Sequence, residues 1–240
     1  YSQLGTTAYD DKLGVELSNQ KLEIIKAAKN YGNKTETDYA ISLSDDGKAR
    51  IKISTHFYGE NYNWDNRFFS ELPPEERKHY FQEVVSGVAQ GARAIGDLTT
   101  KFDTYPGLEQ FTVDVDNYSV AAGKYFYFDL PFTPSLFGAE TDQRSLPLFI
   151  SDGNENIFHT EIKLPPGFRQ MDIAPKSENF IAPGGSQARI TRMNADGKCV
   201  ITDQFEVVPG IISPKNYPAM LNIQSALGEK SATVFLLERQ

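Results

Sequence analysis

The chain is short of cysteine and of positive charge, and both shortages narrow the classes of protein to which it can belong. A single cysteine, Cys199, excludes an internal disulfide framework, because every disulfide needs two partners. Lys and Arg number 24 against 32 Asp and Glu, which gives a net charge of −8. This balance argues against a nucleic-acid partner, since phosphate binding requires a basic patch.

Long apolar runs are also absent from the sequence. No run approaches the roughly 18 residues that a membrane-spanning helix needs, so we predict no transmembrane segment in this chain. No signal-peptide pattern is visible either, and the chain opens on Tyr1 in place of Met. We therefore interpret it as a fragment or a processed chain.

Aromatic residues are plentiful, and they favour a strand-rich architecture. The 12 Tyr and 16 Phe residues are of the kind that packs well on a pleated sheet. Residues 131–138 carry two prolines and one glycine without strand periodicity, which indicates a domain boundary. The sequence therefore predicts a mainly β protein with two antiparallel β-sandwich-type domains. Residues 1–130 form the first, with one packed α-helix, and residues 131–240 form the second, with an immunoglobulin-like fold.

Alternating apolar and polar residues predict the individual strands. Asp46-Gly47 lies between two alternating runs, 37–43 and 49–58, which is the pattern of a hairpin with a tight turn. A third run, 111–115, alternates in the same way and predicts a strand with one buried face. In the second half, short strands separated by turn residues are predicted at 146–151, 157–164, 188–193, 198–208 and 232–237.

One helix is predicted across residues 73–92. Its start combines two prolines with two acids, Glu75 and Glu76, which are the residue types that a first helical turn prefers. A shorter helix is predicted at 215–227. In the first helix an apolar stripe with i, i+3, i+4 and i+7 spacing is suited to cover a sheet, and it consists of Phe81, Val84, Val85 and Val88.

Cys199 is the one candidate thiol nucleophile. A catalytic cysteine needs a base within reach and a helix N-terminus or a cation that lowers the thiol pKa. Cys199 instead shares strand parity with Ile201 and Phe205, so we predict a structural cysteine that faces the core. The sequence offers no credible catalytic constellation, and we predict neither an enzyme nor a cofactor.

The three histidines, His56, His79 and His159, lie far apart in the sequence. His79 falls on the predicted helix with Glu75 and Glu83 four residues before and after it, so a surface metal site is geometrically open to these side chains. A solvated polar helix face explains the same residues, and we favour that interpretation and assign no metal site. His56 and His159 fall within predicted strands, and the sequence identifies a partner for neither.

Two acidic patterns each have a functional and a simpler interpretation. Residues 152–156 carry oxygen ligands at alternate positions, as a calcium loop does, but Ile157 stands where that loop requires glycine. We therefore favour a hairpin turn at this segment. Asp114 and Asp116 can be imagined as the paired carboxylates of a hydrolase, yet they project from the polar face of a strand, where two solvated acids are expected.

The aromatic segment from Phe57 to Phe69 is the main candidate for a binding surface. Tyr58, Tyr62, Trp64 and Arg67 lie here among Asn, Asp and Glu residues. Exposed aromatic side chains beside polar groups can stack on a sugar ring or anchor a partner. The simpler interpretation is that these aromatics cap the core beside the helix, and both interpretations stay open at this point.

Short motifs follow one another in a fixed order along most of the chain, after the Arg67 region. They are Leu72-Pro73-Pro74-Glu75-Glu76-Arg77, Phe128-Asp129-Leu130-Pro131, Arg144-Ser145-Leu146-Pro147-Leu148, Ile162-Lys163-Leu164-Pro165-Pro166-Gly167-Phe168 and Val208-Pro209-Gly210-Ile211-Ile212, which leads to Tyr217. In this order the chain resembles the C-terminal β-sandwich region of unknown function that follows the transglutaminase-like core in large bacterial multidomain proteins.

The resemblance implies a non-catalytic accessory region that docks onto, supports or targets an upstream transglutaminase-like domain of the same protein. Such proteins are often exported, so it also implies an extracytoplasmic location, in the periplasm or at the cell surface. The family's catalytic Cys, His and Asp belong to the preceding core, and none is carried onto this chain. The alternative function is a carbohydrate- or peptide-binding module that uses the aromatic segment, with a cell-surface polysaccharide or a peptide as its partner.

Overall fold

The computed structural model shows a mainly β architecture, as the sequence predicts. Two sheets stack on each other in a sandwich-like arrangement, with helices beside them. The residues that the structure describes are 13–24, 32–132, 143–170, 174–193 and 197–239.

The main sheet has nine strands within the described residues, and it runs through both halves of the chain. From one edge to the other its strands are β13 (Glu178–Ala182), β14 (Gly185–Met193), β15 (Lys198–Val207), β11 (Asn154–Lys163), β3 (Lys34–Leu43), β4 (Ala49–Tyr58), β7 (Gly107–Val115) and β5 (Arg93–Ala94), and β6 (Thr99–Lys101) also pairs with β7.

The central strand β3 has one antiparallel and one parallel neighbour. With β4 it forms the predicted hairpin, and Gly47 takes a φ of +86° in the turn, which a residue with a side chain rarely adopts. With β11 it pairs in parallel, with Lys34 beside Glu155 near the start of both strands. The other strand pairs described for this sheet are antiparallel, so the main sheet is mixed.

A second sheet packs on the main sheet and closes a shared apolar core. Side chains from both sheets belong to one buried cluster, with Ile51 and Val113 on one side and Phe128 and Phe235 on the other. The rings of Phe128 and Phe235 stack with their centroids 5.0 Å apart. The strands of this second sheet, in order, are β12 (Phe168–Gln170), β17 (Val234–Arg239), β9 (Tyr125–Asp129) and β8 (Val120–Ala122).

Both sheets take strands from both sides of the boundary predicted at residues 131–138. β3 pairs with β11 in the main sheet, and β9 pairs with β17 in the second sheet. Residues 133–138 themselves lie outside the described ranges. Continuous sheets therefore join the two halves, whereas the division into 1–130 and 131–240 leads one to expect a separate sheet system in each. Local alternation identifies a strand but does not encode its partner, which tertiary packing selects.

Two predicted helices are present with altered ends. α2 (Pro74–Val88) corresponds to the helix expected at 73–92, and it ends early because Ala89 has an extended backbone. α3 (Tyr217–Gly228) corresponds to the shorter helix expected at 215–227. No helix in the described part of the chain has the length and the apolar character that crossing a bilayer requires.

A further helix, α1 (Glu60–Glu71), is missing from the sequence prediction. It lies in the aromatic segment, whose Tyr, Asn and Trp residues are poor helix formers. Tyr62 and Phe69 are its buried residues. The packing of these two rings in the folded molecule therefore outweighs the weak helix propensity of the segment.

Two small sheets complete the described structure. β1 (Leu13–Glu16) pairs with β2 (Lys21–Ile24), and β10 (Leu148–Ile150) pairs with β16 (Gly210–Ile212). Since β10 pairs with β16 and not with β11, Asp152-Gly153 connects two different sheets. The hairpin turn expected at this segment is therefore wrong.

Candidate functional site

A cleft of 720 Å³ opens at one end of the main sheet. β3 and β11 begin at this end, and β4 and β15 finish there, so residues from distant parts of the chain meet. The volume lies within the usual range for small-ligand sites. We call this cavity the sheet-end cleft, and the aromatic and polar residues that line it are Asn33, Lys34, Tyr58, Tyr105, Asn154, Glu155 and Glu206.

Two tyrosines form the aromatic wall of the sheet-end cleft. The rings of Tyr58 and Tyr105 meet edge to face with their centroids 5.8 Å apart. Tyr62 packs against Tyr105 with a centroid distance of 5.3 Å and donates its hydroxyl hydrogen to the Phe102 carbonyl oxygen at 2.7 Å. These contacts hold the wall in place before any ligand arrives.

Gly59 fixes the turn from β4 into α1 beside this wall. Its φ is +61°, and a Cβ at this position would lie 2.6 Å from the Gly32 carbonyl oxygen, so the turn requires glycine. The Gly59 N–H donates to the Tyr105 hydroxyl at 3.2 Å. The next N–H, of Glu60, donates to Asn33 Oδ1 at 2.9 Å. The start of α1 is thus tied to two residues that line the cleft.

A charged network continues from the cleft along the outer face of the main sheet. Glu36 accepts hydrogen bonds from Lys34 Nζ at 3.1 Å and from the Tyr58 hydroxyl at 3.2 Å, and its other oxygen lies 3.1 Å from His159 Nε2. Burial acts to raise the pKa of Glu36, but Lys34, Tyr58 and His159 together hold this pKa below its ordinary value. Burial and the nearby Glu36 charge raise the pKa of Tyr58 to about 12. Tyr58 is therefore a neutral hydroxyl at physiological pH.

Two glutamates lie opposite each other on β11 and β15, where these strands line the cleft beside Lys34. The register of β11 and β15 places Glu155 directly opposite Glu206. Gln204 Nε2 donates to Glu155 Oε1 at 2.5 Å, and Ser186 Oγ donates to Glu206 Oε2 at 3.4 Å. Among the described residues, no Lys, Arg or His forms an ion pair with either glutamate. Like charges directly opposite each other destabilise a sheet, and here Glu206 is exposed to solvent while Glu155 is partly buried.

The structure separates the four residues expected to form a binding surface. Tyr58 lines the cleft, and Tyr62 supports it from behind with only 6% of its surface exposed. Trp64 is 69% exposed on α1 outside the cleft, and Arg67 pairs with Glu71 across one helical turn. Some rings of the aromatic segment therefore pack inside the molecule, as the core-capping interpretation expects. Others face solvent, as the binding-surface interpretation expects.

Cys199 lies in the core, as its strand parity predicts. It is fully buried on β15, in the same cluster as Ile201 and Ile162. Burial raises the pKa of its thiol to about 11, so the thiol stays protonated at physiological pH. This environment suits a packing role.

Each of the three histidines lies close to a carboxylate, and for His56 and His159 the sequence does not identify that neighbour. His159 contacts Glu36, as described above, and His56 Nδ1 lies 3.8 Å from Asp38 Oδ2 on the same sheet face. His79 lies 3.3 Å from Glu83 on the exposed face of α2. Among the described residues, no three His, Cys, Asp or Glu side chains come together in a way that could hold a metal ion.

Asp114 and Asp116 each pair with an arginine on a neighbouring strand. Asp114 accepts two hydrogen bonds from Arg50, at 2.8 and 2.9 Å, and Asp116 accepts one from Arg93. The hydrogen bonds from these arginines hold the pKa of both carboxyls below its ordinary value. Two carboxylates held ionised in this way do not provide the protonated acid that glycoside hydrolysis requires.

Sequence reasoning finds Tyr58 in the cleft but misses the rest of its lining. Asn33, Tyr105, Asn154 and Glu206 come from four separate loops or strand ends. They meet only because β3 pairs in parallel with β11, and nothing local in the sequence marks that pairing. The aromatic segment is the one sequence feature that indicates a binding site in this region.

Comparison of the chain with models of known protein families, with curated proteins and with solved structures finds no match. The resemblance to the region that follows a transglutaminase-like core therefore stays a prediction, together with the partner and the location that it implies.

Proposed function

We propose that this chain is a non-catalytic carbohydrate-binding module and that its ligand binds in the sheet-end cleft. The observation that carries the proposal is the wall formed by Tyr58 and Tyr105 in a cavity of 720 Å³. Aromatic rings bury the apolar face of a sugar, and a few fixed polar groups select its hydroxyls. Asn33, Asn154 and the Tyr58 hydroxyl are such groups in this cleft.

The polar groups of the cleft are held by hydrogen bonds, which lowers the entropy lost on binding. Asn154 Oδ1 accepts a hydrogen bond from Asn61 Nδ2 at 3.1 Å, and Asn154 Nδ2 donates to Asn156 Oδ1 at 3.3 Å. Asn33 Oδ1 accepts from the Glu60 N–H, as described above. Side chains ordered in this way present their remaining hydrogen-bonding capacity in fixed directions.

The position of the cleft favours a saccharide over an extended peptide. Peptides that bind sheets usually add a strand to an edge whose backbone groups are unpaired. The strands that end at the cleft, β3, β4, β11 and β15, are central, and each has a neighbour on both sides. These four strands therefore contact a ligand through their side chains and not through unpaired backbone groups.

Isothermal titration of the chain with neutral hexasaccharides built from glucose, xylose or N-acetylglucosamine tests this function. We expect at least one of them to bind and Tyr58→Ala to weaken that binding by about tenfold or more, because the variant removes an aromatic anchor. Asn154→Ala is the second variant, in case Tyr58→Ala fails to fold. Thermal unfolding of each variant establishes that its fold is intact.

Trp64→Ala is the matched control for Tyr58→Ala. Trp64 belongs to the same aromatic segment but lies outside the cleft and is 69% exposed. We expect this variant to bind like the unmodified chain. Loss of binding in Trp64→Ala with retention in Tyr58→Ala would move the site to the exposed face of α1, and absence of binding to every saccharide would overturn the proposal.

A further inference from the structure

We propose that the sheet-end cleft selects an amino sugar and that Glu155 and Glu206 together bind its protonated amine. This inference rests on the proposed function, because it specifies the class of saccharide that the same cleft accepts. It goes further in giving the two glutamates a role that packing does not explain.

The first observation is the charge of the cleft. Its lining contains two carboxylates, Glu155 and Glu206, and among the described residues one cation, Lys34. Glu36 lies 3.1 Å from Lys34 Nζ and already matches that positive charge. The cleft therefore retains an excess of negative charge, which favours a ligand that carries a positive group.

The second observation is the placement of the two glutamates within the sheet. They occupy directly opposite positions on β11 and β15, where like charges repel each other. Each carboxylate accepts one neutral hydrogen bond, from Gln204 or from Ser186, and these bonds orient the acids without cancelling their charge. An ammonium group offers three donors and one positive charge, so it can satisfy both carboxylates at once.

The third observation is that an aromatic ring of this cleft already holds an ammonium group. Lys34 Nζ lies 4.1 Å from the centroid of the Tyr58 ring, which is a cation–π contact. Carboxylates and aromatic rings both attract an alkylammonium, and both line this cavity. A sugar with a free amine presents that group together with hydroxyls for the asparagine amides.

The test compares three hexasaccharides that share a β-linked backbone and differ at carbon 2, built from glucosamine, N-acetylglucosamine and glucose. Calorimetric titration is carried out at a mildly acidic pH, below the usual pKa of an amine, so that the sugar amine carries its positive charge. We expect the glucosamine hexamer to bind about tenfold more tightly than either neutral hexamer. Added salt should weaken its binding and leave that of the neutral hexamers nearly unchanged.

The double variant Glu155→Gln/Glu206→Gln should abolish the preference and change the affinity for the glucose hexamer by less than about twofold. The control Glu75→Gln/Glu76→Gln removes the same net charge from the exposed first turn of α2, away from the cleft, and should retain the preference. Thermal unfolding shows that both double variants fold.

Three outcomes would contradict the inference, and they separate it from the proposed function. Equal binding of amine and neutral hexamers overturns the amine preference and leaves carbohydrate binding in place. A preference that survives in Glu155→Gln/Glu206→Gln overturns the role of the two glutamates. If no hexamer binds, both the inference and the proposed function are wrong.

Discussion

The two sides of the main sheet bury their inner faces with different chemistry. Around β3, β4 and β7 the buried side chains are apolar, as in Ile41, Ile51 and Val113, each at most 1% exposed. On β14 and β15 an ion pair is buried instead, with Arg189 1% exposed and Asp203 0% exposed, directly opposite each other. The same fold therefore contains an apolar and an ionic interior side by side.

The ionic side depends on a small number of directional contacts. Arg189 Nε donates to Asp203 Oδ1 at 2.6 Å, and Arg189 Nη1 donates to the Ala232 carbonyl oxygen at 2.7 Å. Arg189 Nη2 and Thr160 Oγ1 are buried without a hydrogen-bond partner among the described residues. Burial raises the pKa of Asp203, and Arg189 counteracts that effect.

This difference teaches that equal burial does not mean an equal response to mutation. An apolar core loses more stability as the removed volume grows, because the neighbouring side chains refill only part of the space. A buried ion pair loses far more when one partner is removed, because the other charge is left without compensation. Four substitutions test the comparison, from the largest expected effect to the smallest.

Arg189→Ala should lower the free energy of unfolding by about 3–5 kcal/mol, because it leaves the buried Asp203 carboxylate without its cationic partner. Urea denaturation of the purified chain measures this change. The double variant Arg189→Met/Asp203→Leu removes both charges at similar volume and should recover most of the loss. A cost of Arg189→Ala no larger than that of a single methyl deletion would show that the two interiors respond alike.

Ile51→Val should cost about 1 kcal/mol, because it removes one methylene group from the apolar side. Ile51 is 0% exposed and packs in the cluster that joins both sheets. The same urea titration gives the value, and Val113→Ala at the neighbouring strand serves as a graded comparison. A cost as large as that of Arg189→Ala would contradict the distinction drawn here.

Asp65→Asn should stabilise the chain at neutral pH by roughly 0.5 kcal/mol, since it removes a partly buried carboxylate that no described cation pairs with. Burial raises the pKa of Asp65 from 3.8 to about 6. The stabilising effect of its protonation is complete below pH 3.8 and is lost as the pH rises through about 6. Unfolding midpoints measured from pH 4 to pH 8 should show a shallower slope in the variant.

Glu109 reinforces the pH dependence that Asp65 produces. It is 6% exposed on β7, and burial raises its pKa, to which the charge of Asp65 adds. Tyr80 donates a hydrogen bond to Glu109 Oε2 at 2.8 Å and acts in the opposite direction. Asp65→Asn should therefore also lower the pKa of Glu109. An unchanged slope in the variant would show that burial of Asp65 does not contribute to the pH dependence of stability.

Arg50→Ala should leave the unfolding midpoint unchanged within experimental error. Arg50 forms two hydrogen bonds with Asp114, but its side chain is 63% exposed, and water screens such a pair. A clear loss of stability would show that this surface ion pair, unlike most, contributes to folding. The contrast with Arg189 then depends on burial alone, since both arginines face an aspartate on the next strand.

Features with a local physical cause could be predicted from the sequence. The alternation of residues 49–58 and 111–115 reflects one buried sheet face, and the structure buries Ile51, Ile53 and Val113 accordingly. Pro74 and the acids after it mark the start of α2, because the first turn needs no N–H donor from proline and favours negative charge. Cys199 faces the core for the same reason of parity.

Features that depend on distant residues could not be predicted. α1 forms because Tyr62 and Phe69 find neighbours in the folded molecule, while its own residues are weak helix formers. The cleft needs Tyr105, Asn154 and Glu206 beside Tyr58, and their meeting follows from the pairing of β3 with β11. Asp203 did leave a signal, as a charged residue at an inward position between Ile201 and Phe205, which indicates a buried partner.

The parallel pairing of β3 with β11 also constrains how this chain can fold as it is synthesised. β3 is synthesised before β4 and can form its hairpin as soon as β4 follows. The other edge of β3 stays unpaired until β11 is made, long after β4 and β7. An unpaired strand edge of this length invites association with other chains, and contacts between distant residues form slowly. A nascent chain that stops before residue 154 therefore exposes the middle of its future sheet, where aggregation can compete with folding.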